Sequence, residues 1–197
     1  MSLPVTDDQD QQDMAGLAAG RDSALNALMA RHAEPLLRYL IRLLQNETEA
    51  EDLAEETFVR VYQNRDRFRL GARFTTWLYA IATNLARDRR RWHARHPQVP
   101  LEAESGADGA SLRDTLPGAE RTPAEVLEAG ERAEAVRRAV AALPEELRIP
   151  LVLAEYEEQS HAEIAAILKC SPKAVEMRVY RARQQLRQCL APLLGGA

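Results

Sequence analysis

Between residues 96 and 121 the chain reads HPQVPLEAESGADGASLRDTLPGAER, where Pro, Gly, Ser, Ala and acids leave no apolar period. Such a composition offers little to bury, so it predicts an extended, negatively charged linker. It splits the 197 residues into two stretches of helical pattern and predicts two small domains rather than one large one. Neither stretch sustains the period-two alternation of a strand, and Ala, Leu, Arg and Glu abound. The predicted fold is all-α: a disordered N-terminus over 1–13, a helical domain over 14–95, a flexible acidic linker over 96–122, and a second helical domain over 123–194.

Local signals place the helices. Ser23 caps a helix through Arg31, and Pro35 sits in the first turn of a second, with Leu36, Leu37, Leu40, Ile41 and Leu44 at threes and fours. A third runs over about 48–64 with Leu53, Phe58 and Val61 inward. Gly71 breaks the chain before a fourth, Phe74 to Ala94, whose buried stripe is Trp77, Leu78, Ile81, Ala82 and Leu85. Thr122-Pro123 starts a helix that ends near Ala142, and Pro144 opens another, which Pro150 delays or bends. Ser160 and Glu163 form a capping box, and Ser171-Pro172 repeats a cap-plus-proline start.

Bulk properties remove several function classes. The apolar fraction of 46% is too high for a disordered chain. No apolar run is long enough to cross a bilayer, and the acidic start MSLPVTDDQDQQD is no signal peptide, which predicts a cytoplasmic protein. Cys170 and Cys189 fit no disulfide or zinc spacing and are expected to be buried or half-buried in helices. His93 and His96 lie at i and i+3, yet no carboxylate or cysteine set accompanies them, so neither metal nor cofactor is expected.

The net charge of −4 conceals segregation. Residues 60–96 hold ten arginines against Asp66 and Asp88, and from 169 onward six cations face only Glu176. Residues 1–59 hold twelve carboxylates against four arginines. Two basic islands in an acidic chain predict dedicated phosphate sites, with acidic faces kept for another partner.

The stretch SHAEIAAILKCSPKAVEMRVYRARQQLRQCL, from Ser160, has two helical patterns either side of a tight break, as in a helix-turn-helix. Val175, Val179, Ala182, Leu186 and Leu190 share one face of its second helix. On the opposite side Glu176, Met177, Tyr180 and Arg181 are placed for base edges, with Lys173, Arg178, Arg183 and Arg187 for phosphates. Upstream, RFTTWLYAIATNLARDRRRWHAR mixes aromatics and arginines in the way single strands are held. Trp77 falls on the apolar stripe, whereas Tyr79 lies nearer Thr76, Thr83 and Arg87 and is expected to face nucleic acid.

Four segments, AEDLAEETFVRVY (50–62), FTTWLYAIATNLARD (74–88), LPEELRIPLVLAEYEEQSHAEIAAIL (143–168) and SPKAVEMRVYRARQQLR (171–187), together resemble the extracytoplasmic-function sigma factors of bacterial RNA polymerase. The resemblance implies that the first domain is sigma region 2 and the second sigma region 4. Glu49, Asp52, Glu55 and Glu56 would dock the clamp helices of core RNA polymerase. The loop 64–73 and following helix would recognise and melt the −10 element, through Arg73, Tyr79, Asn84, Arg87, Arg90 and Arg91. Region 4 would read the −35 element and meet the polymerase flap, while the linker would thread near the active site and RNA exit path. Promoter DNA and core polymerase are the implied partners, an anti-sigma factor is a further one the family allows, and a stress or envelope response is the implied setting.

Two departures stand out. Glu176 and Met177 replace the Lys or Arg and the Ser common in the family, which predicts a shifted −35 preference. Lys169 occupies a position where many members carry a turn Gly; in a left-handed conformation it costs roughly 1 kcal/mol, so a differently built turn is expected. A stand-alone helix-turn-helix regulator remains the alternative function, distinguished by operator binding without polymerase. A nuclease is more remote, since no acidic metal cluster accompanies the arginines.

Overall fold

The computed structural model describes residues 5–96 and 123–194. Almost all of the linker expected over 96–122 lies outside the described residues, as does the cap expected at Thr122. Among the described residues the elements are helical: α1 Val5–Ala18, α2 Ser23–Leu44, α3 Glu47–Gln63, a 3-10 turn Arg65–Arg67, α4 Phe74–Arg95, α5 Pro123–Ala142, α6 Glu145–Glu155, α7 His161–Leu168 and α8 Pro172–Leu194.

The caps explain the boundaries. The Asn46 side chain accepts from the Glu49 N–H and opens α3. Ser160 and Glu163 satisfy each other's backbone N–H in a full capping box at α7. The Ser171 hydroxyl accepts from the Ala174 N–H at the start of α8. Lys169, at the end of α7, is left-handed with φ 53° and ψ 48°. The turn is therefore built as with glycine and carries the cost of a Cβ there.

Three expectations need correction. Residues 23–44 form one helix rather than two, with Pro35 in its interior. The missing N–H leaves one carbonyl a turn earlier without its partner, and the burial of Leu28, Leu36, Tyr39 and Leu40 on one side outweighs that loss. Pro150 likewise sits within α6, which starts directly after Pro144. The N-terminus, expected disordered over 1–13, is helical from Val5. Met14 and Leu17 are fully buried, and Asp10 is buried beneath Arg31 (Nη2–Oδ1 2.9 Å) and His32 (Nε2–Oδ2 2.8 Å).

α1 also braces the loop before α4. The Gln11 side chain accepts from the Gly71 N–H at 2.9 Å and donates to the Ala72 carbonyl. Phe68, Phe74 and Trp77 pack with edge-on or tilted rings, centroids 5.3–6.4 Å apart, so Trp77 packs as expected. In the second half, Val175, Val179 and Ala182 of α8 are buried, and α8 packs on α5, α6 and α7.

The two halves touch. α7 packs against α4, and α5 and α6 against α2, so the buried apolar residues of both halves form one connected cluster. The linker composition predicts two domains but is silent on how they meet.

Candidate nucleic-acid interface

The solvent face of α8 carries one candidate site. Glu176, Met177, Tyr180 and Arg181 are all exposed, Tyr180 at 57%, on the side opposite the buried valines. Helical spacing gathers these four side chains into one arc. Lys173 Nζ donates to both Glu176 oxygens at 2.9 and 3.0 Å, so the acid at this unusual position is paired rather than bare. Of the residues expected on phosphate, Arg187 is exposed, Arg183 is held by Glu155 at 2.5 Å, and Arg178 is half-buried with Nη1 3.7 Å from Cys170 Sγ. Cys170 is half-buried as expected, whereas Cys189 is exposed because it lies beyond the packed turns of α8.

The α4 face is built differently. Tyr79, Thr83, Arg87 and Arg90 recur at threes and fours and share one side of the helix. Tyr79 is only 5% exposed, which corrects the expectation of an open aromatic. Its ring packs edge-on against Tyr39, centroids 5.0 Å apart, and its hydroxyl donates to Glu157 of the second half at 2.5 Å. Burial and the neighbouring Glu157 charge push the Tyr79 phenol far above its ordinary pKa, so it acts only as a donor. Beneath it the Tyr39 and Thr83 hydroxyls bond at 2.6 Å.

The flanking cations also face carboxylates of the second half. Arg73 Nη1 donates to Glu163 Oε1 at 2.6 Å. Its Nε lies 2.9 Å from Asp7 of α1, an ion contact too poorly aligned for a hydrogen bond. Burial alone would lower the Arg73 pKa, but Glu163 and Asp7 outweigh it and raise it. Burial would likewise raise Glu163, yet hydrogen bonds from Ser160 and the Arg73 charge hold it below the usual carboxylate range. Arg87 and Arg90 reach Glu145 at 3.4 and 3.3 Å, and Arg42 reaches Glu157 at 3.6 Å. Asn84 stays exposed to one side, and Arg91 pairs with Asp88 on its own helix.

Between the halves lies an open cavity of about 580 Å³, with Arg38, Arg42, Arg73 and Tyr79 on one wall and Glu155, Glu157 and Gln159 on the other. Burial raises the Glu157 carboxyl above its ordinary value; Tyr79, Arg42 and Arg38 offset part of that rise. Arg148 is buried nearby, donates to the Ala141 carbonyl at 2.9 Å, and has its pKa lowered by burial and then by Arg90.

The acidic face of α3 forms the third candidate surface. Asp52 and Glu55 are exposed, and Glu56 pairs with Arg60 at 2.7 Å. Glu49 is half-buried, bonded to His93 Nε2 at 2.7 Å, and so links α3 to α4. Val59 was missed by sequence reasoning: it is 51% exposed, and with 52, 55 and 56 completes an i, i+3, i+4, i+7 stripe. That spacing is legible in the sequence. Leu70, 68% exposed in the loop before α4, is a second such residue. His96 stacks on Trp92, and no group of three metal-binding side chains occurs among the described residues. None of their helices is long and apolar enough to cross a membrane.

Comparison with known proteins fits this division. Residues 28–96 match the family model for Sigma-70 region 2, and residues 133–186 match that for Sigma-70, region 4. The chain is 30% identical over 194 residues to RNA polymerase sigma-H factor of Pseudomonas aeruginosa, covering 96% of this chain and 98% of that relative. It is 33% identical over 175 residues to the ECF RNA polymerase sigma factor SigW of Bacillus subtilis, covering 88% and 92%. Among solved structures, CnrH in complex with the cytosolic domain of CnrY aligns with a TM-score of 0.67 at 28% identity, over 96% of this chain and 99% of that one. From the paired basic faces, the two matched regions and the end-to-end likeness, the chain belongs to the extracytoplasmic-function group of the sigma-70 family, as an alternative sigma factor that binds core RNA polymerase and directs transcription from promoters.

Proposed function

We propose that promoter recognition is divided between the two basic faces, with α8 reading duplex bases at −35 and the α4 side holding the strand opened at −10. The observation that carries this reading is the exposed arc of Glu176, Met177, Tyr180 and Arg181 on a helix whose other side is buried. Lys173, Arg183 and Arg187, with Arg178 beside them, position the helix on phosphates, and the base-edge residues supply discrimination. On α4, Arg73, Arg87, Arg90 and Arg91 supply charge and Asn84 a polar contact to the strand, while Tyr79 is buried beneath them.

The α3 stripe of Asp52, Glu55, Glu56 and Val59, with Glu49 at its edge, serves as the polymerase-docking surface. The chain itself is a cytoplasmic binding subunit, not an enzyme, and the polymerase supplies all chemistry. Likeness to CnrH, solved with the cytosolic domain of CnrY, supports a protein partner for this chain; within the family that partner would be an anti-sigma factor and the setting a stress or envelope response.

Run-off transcription with core polymerase, on promoters including the chain's own, tests the whole scheme. A promoter-dependent product and co-purification with core are expected; absence of both overturns it. Selection from random duplex DNA tests the reader. Glu176→Lys removes both the acid and its Lys173 pair, so it is expected to select a motif different from wild type at −35. Identical motifs would reject base readout by this residue.

A further inference from the structure

α1 lies outside residues 28–96, the stretch that matches Sigma-70 region 2, yet it holds the loop that precedes α4. Its inner face carries Asp7, Gln11, Met14 and Leu17 at threes and fours. Met14 and Leu17 are fully buried and root the helix, while Asp7 and Gln11, one turn apart, meet consecutive positions of the loop. The Gln11 carboxamide takes both sides of one backbone segment: its oxygen accepts from the Gly71 N–H at 2.9 Å, and its NH2 donates to the Ala72 carbonyl. Asp7 lies 2.9 Å from Nε of Arg73, the next residue along. We propose that Gln11 is a positioning residue for −10 recognition: it fixes the backbone at 71 and 72, so that Leu70 on one side and Arg73 on the other meet the opened strand in a set relation. The inference rests on the strand-binding role proposed for the α4 side and extends it to α1.

The loop is anchored at its ends and turns freely between them. Phe68 and the fully buried Phe74 pack together with Trp77. Asp10 of α1 bonds His32 at 2.8 Å, and the His32 ring lies 5.1 Å from Phe74, so α1 also steadies the far anchor. Between the anchors the chain turns through Gly71 at φ 92°, and the Ala72 N–H returns to the Arg69 carbonyl at 3.0 Å. A left-handed glycine does little by itself to fix the peptide planes on either side. A planar primary amide presents a donor and an acceptor side by side and so suits this segment; asparagine would fall a methylene short. Leu70, beside the clamp, is 68% exposed, an apolar side chain among Arg67, Arg69 and Arg73. An apolar tip flanked by cations suits bases and phosphates together. Fixed in advance, it loses less conformational freedom when it takes hold of a strand.

The test uses the full-length chain with core polymerase, and a labelled single strand carrying the −10 sequence of a promoter that this holoenzyme transcribes. Q11M keeps the length of the side chain and removes both hydrogen bonds. Q12M makes the same change on the exposed side of α1. Preference for the −10 strand over a scrambled one is expected to fall about tenfold in Q11M, the worth of two net hydrogen bonds, and to stay at the wild-type value in Q12M. Co-purification with core and the −35 motif selected from random duplex DNA are expected to be unchanged in both, a split that general loss of folding would not produce. Equal strand preference in the two variants, or a loss in Q11M matched by a loss of −35 selection, would overturn the proposal. R87A/R90A, further along α4, separates this inference from the reading beneath it. If R87A/R90A loses the strand and Q11M does not, the strand-binding face stands and Gln11 has no part in it. If neither loses it, the strand-binding assignment falls, and the positioning role with it.

Discussion

The two basic faces of the molecule are made from similar residues and are in opposite states. On α8, the base-edge residues stand in solvent and the one acid among them is paired locally by Lys173. On α4, Arg73, Arg87, Arg90 and the tyrosine are met by acids more than fifty positions away in sequence. A face bound for duplex DNA can remain open, because bringing a helix to a groove requires no prior unstacking. A face bound for an opened strand is a general polyanion site when bare, and covering it limits non-specific binding. Charge content alone does not distinguish the two; the difference lies in what the rest of the chain places opposite each.

The most direct challenge to this contrast is to strip each face in turn within the holoenzyme. R73A/R87A/R90A is expected to reduce promoter opening on the order of 1000-fold, since each hydrogen bond to a charged group contributes about 1.5 kcal/mol or more, while leaving the selected −35 motif unchanged. Arg181→Ala is expected to weaken −35 duplex binding by about 1–3 kcal/mol and relax the preference at one position. Permanganate footprinting reads the first effect and selection from random duplexes the second. Equivalent consequences from the two variants would erase the division of labour.

Acidity bears on the covered face at an intermediate scale. Burial raises the Glu157 carboxyl, so the closed form holds that proton more tightly than an open form with Glu157 in water. Its protonation therefore supports closure fully below the ordinary glutamate range, and this support fades as pH rises through the raised value. Glu163 runs the other way: its support is present above the ordinary range and lost as pH falls through its lowered value, and only the Arg73 share of that shift belongs to closure. Tyr79, Arg38, Arg42, Arg73, His32, Glu155 and Glu158 face the same cavity. Scattering profiles are expected to contract as pH falls towards the ordinary glutamate range, and Glu157→Gln to abolish that contraction. A variant that contracts like wild type would remove Glu157 from the account.

A smaller change concerns the reader alone. Lys169→Gly relieves a left-handed Cβ and is expected to stabilise the protein by about 1 kcal/mol or somewhat less, since glycine also loosens the unfolded chain. Thermal melting checks it. A loss of stability would mean that the lysine side chain makes a contribution larger than the strain.

Caps and periodicity made most of the helices legible in the sequence: Ser160 with Glu163, and Ser171 with Pro172, open helices in the structure as they do on paper. Pro35 misled because burial along a long helix can outweigh one missing hydrogen bond, a balance that no local rule weighs. α1 was invisible because ion pairs with residues some twenty positions away help hold it. Tyr79 was placed on the correct side of α4, beside Thr83 and Arg87, yet its burial depends on a domain whose approach the linker does not encode. On α8 the exposed set followed directly from helical spacing, since nothing else in the described chain covers that side.

Glu163 uses its two oxygens for different tasks. Oε2 receives the Ser160 backbone N–H and hydroxyl, closing the start of α7, while Oε1 receives Arg73. Without the Arg73 contact the helix would keep its cap. The position is thus answerable to two selections at once, one on the folding of the DNA reader and one on its contact with the first half. Aspartate, a methylene shorter, would strain both, and alanine would abolish both. Glutamine keeps the cap oxygen and gives up only the ion pair with Arg73, so at this one position the start of α7 and the contact between the halves can vary separately.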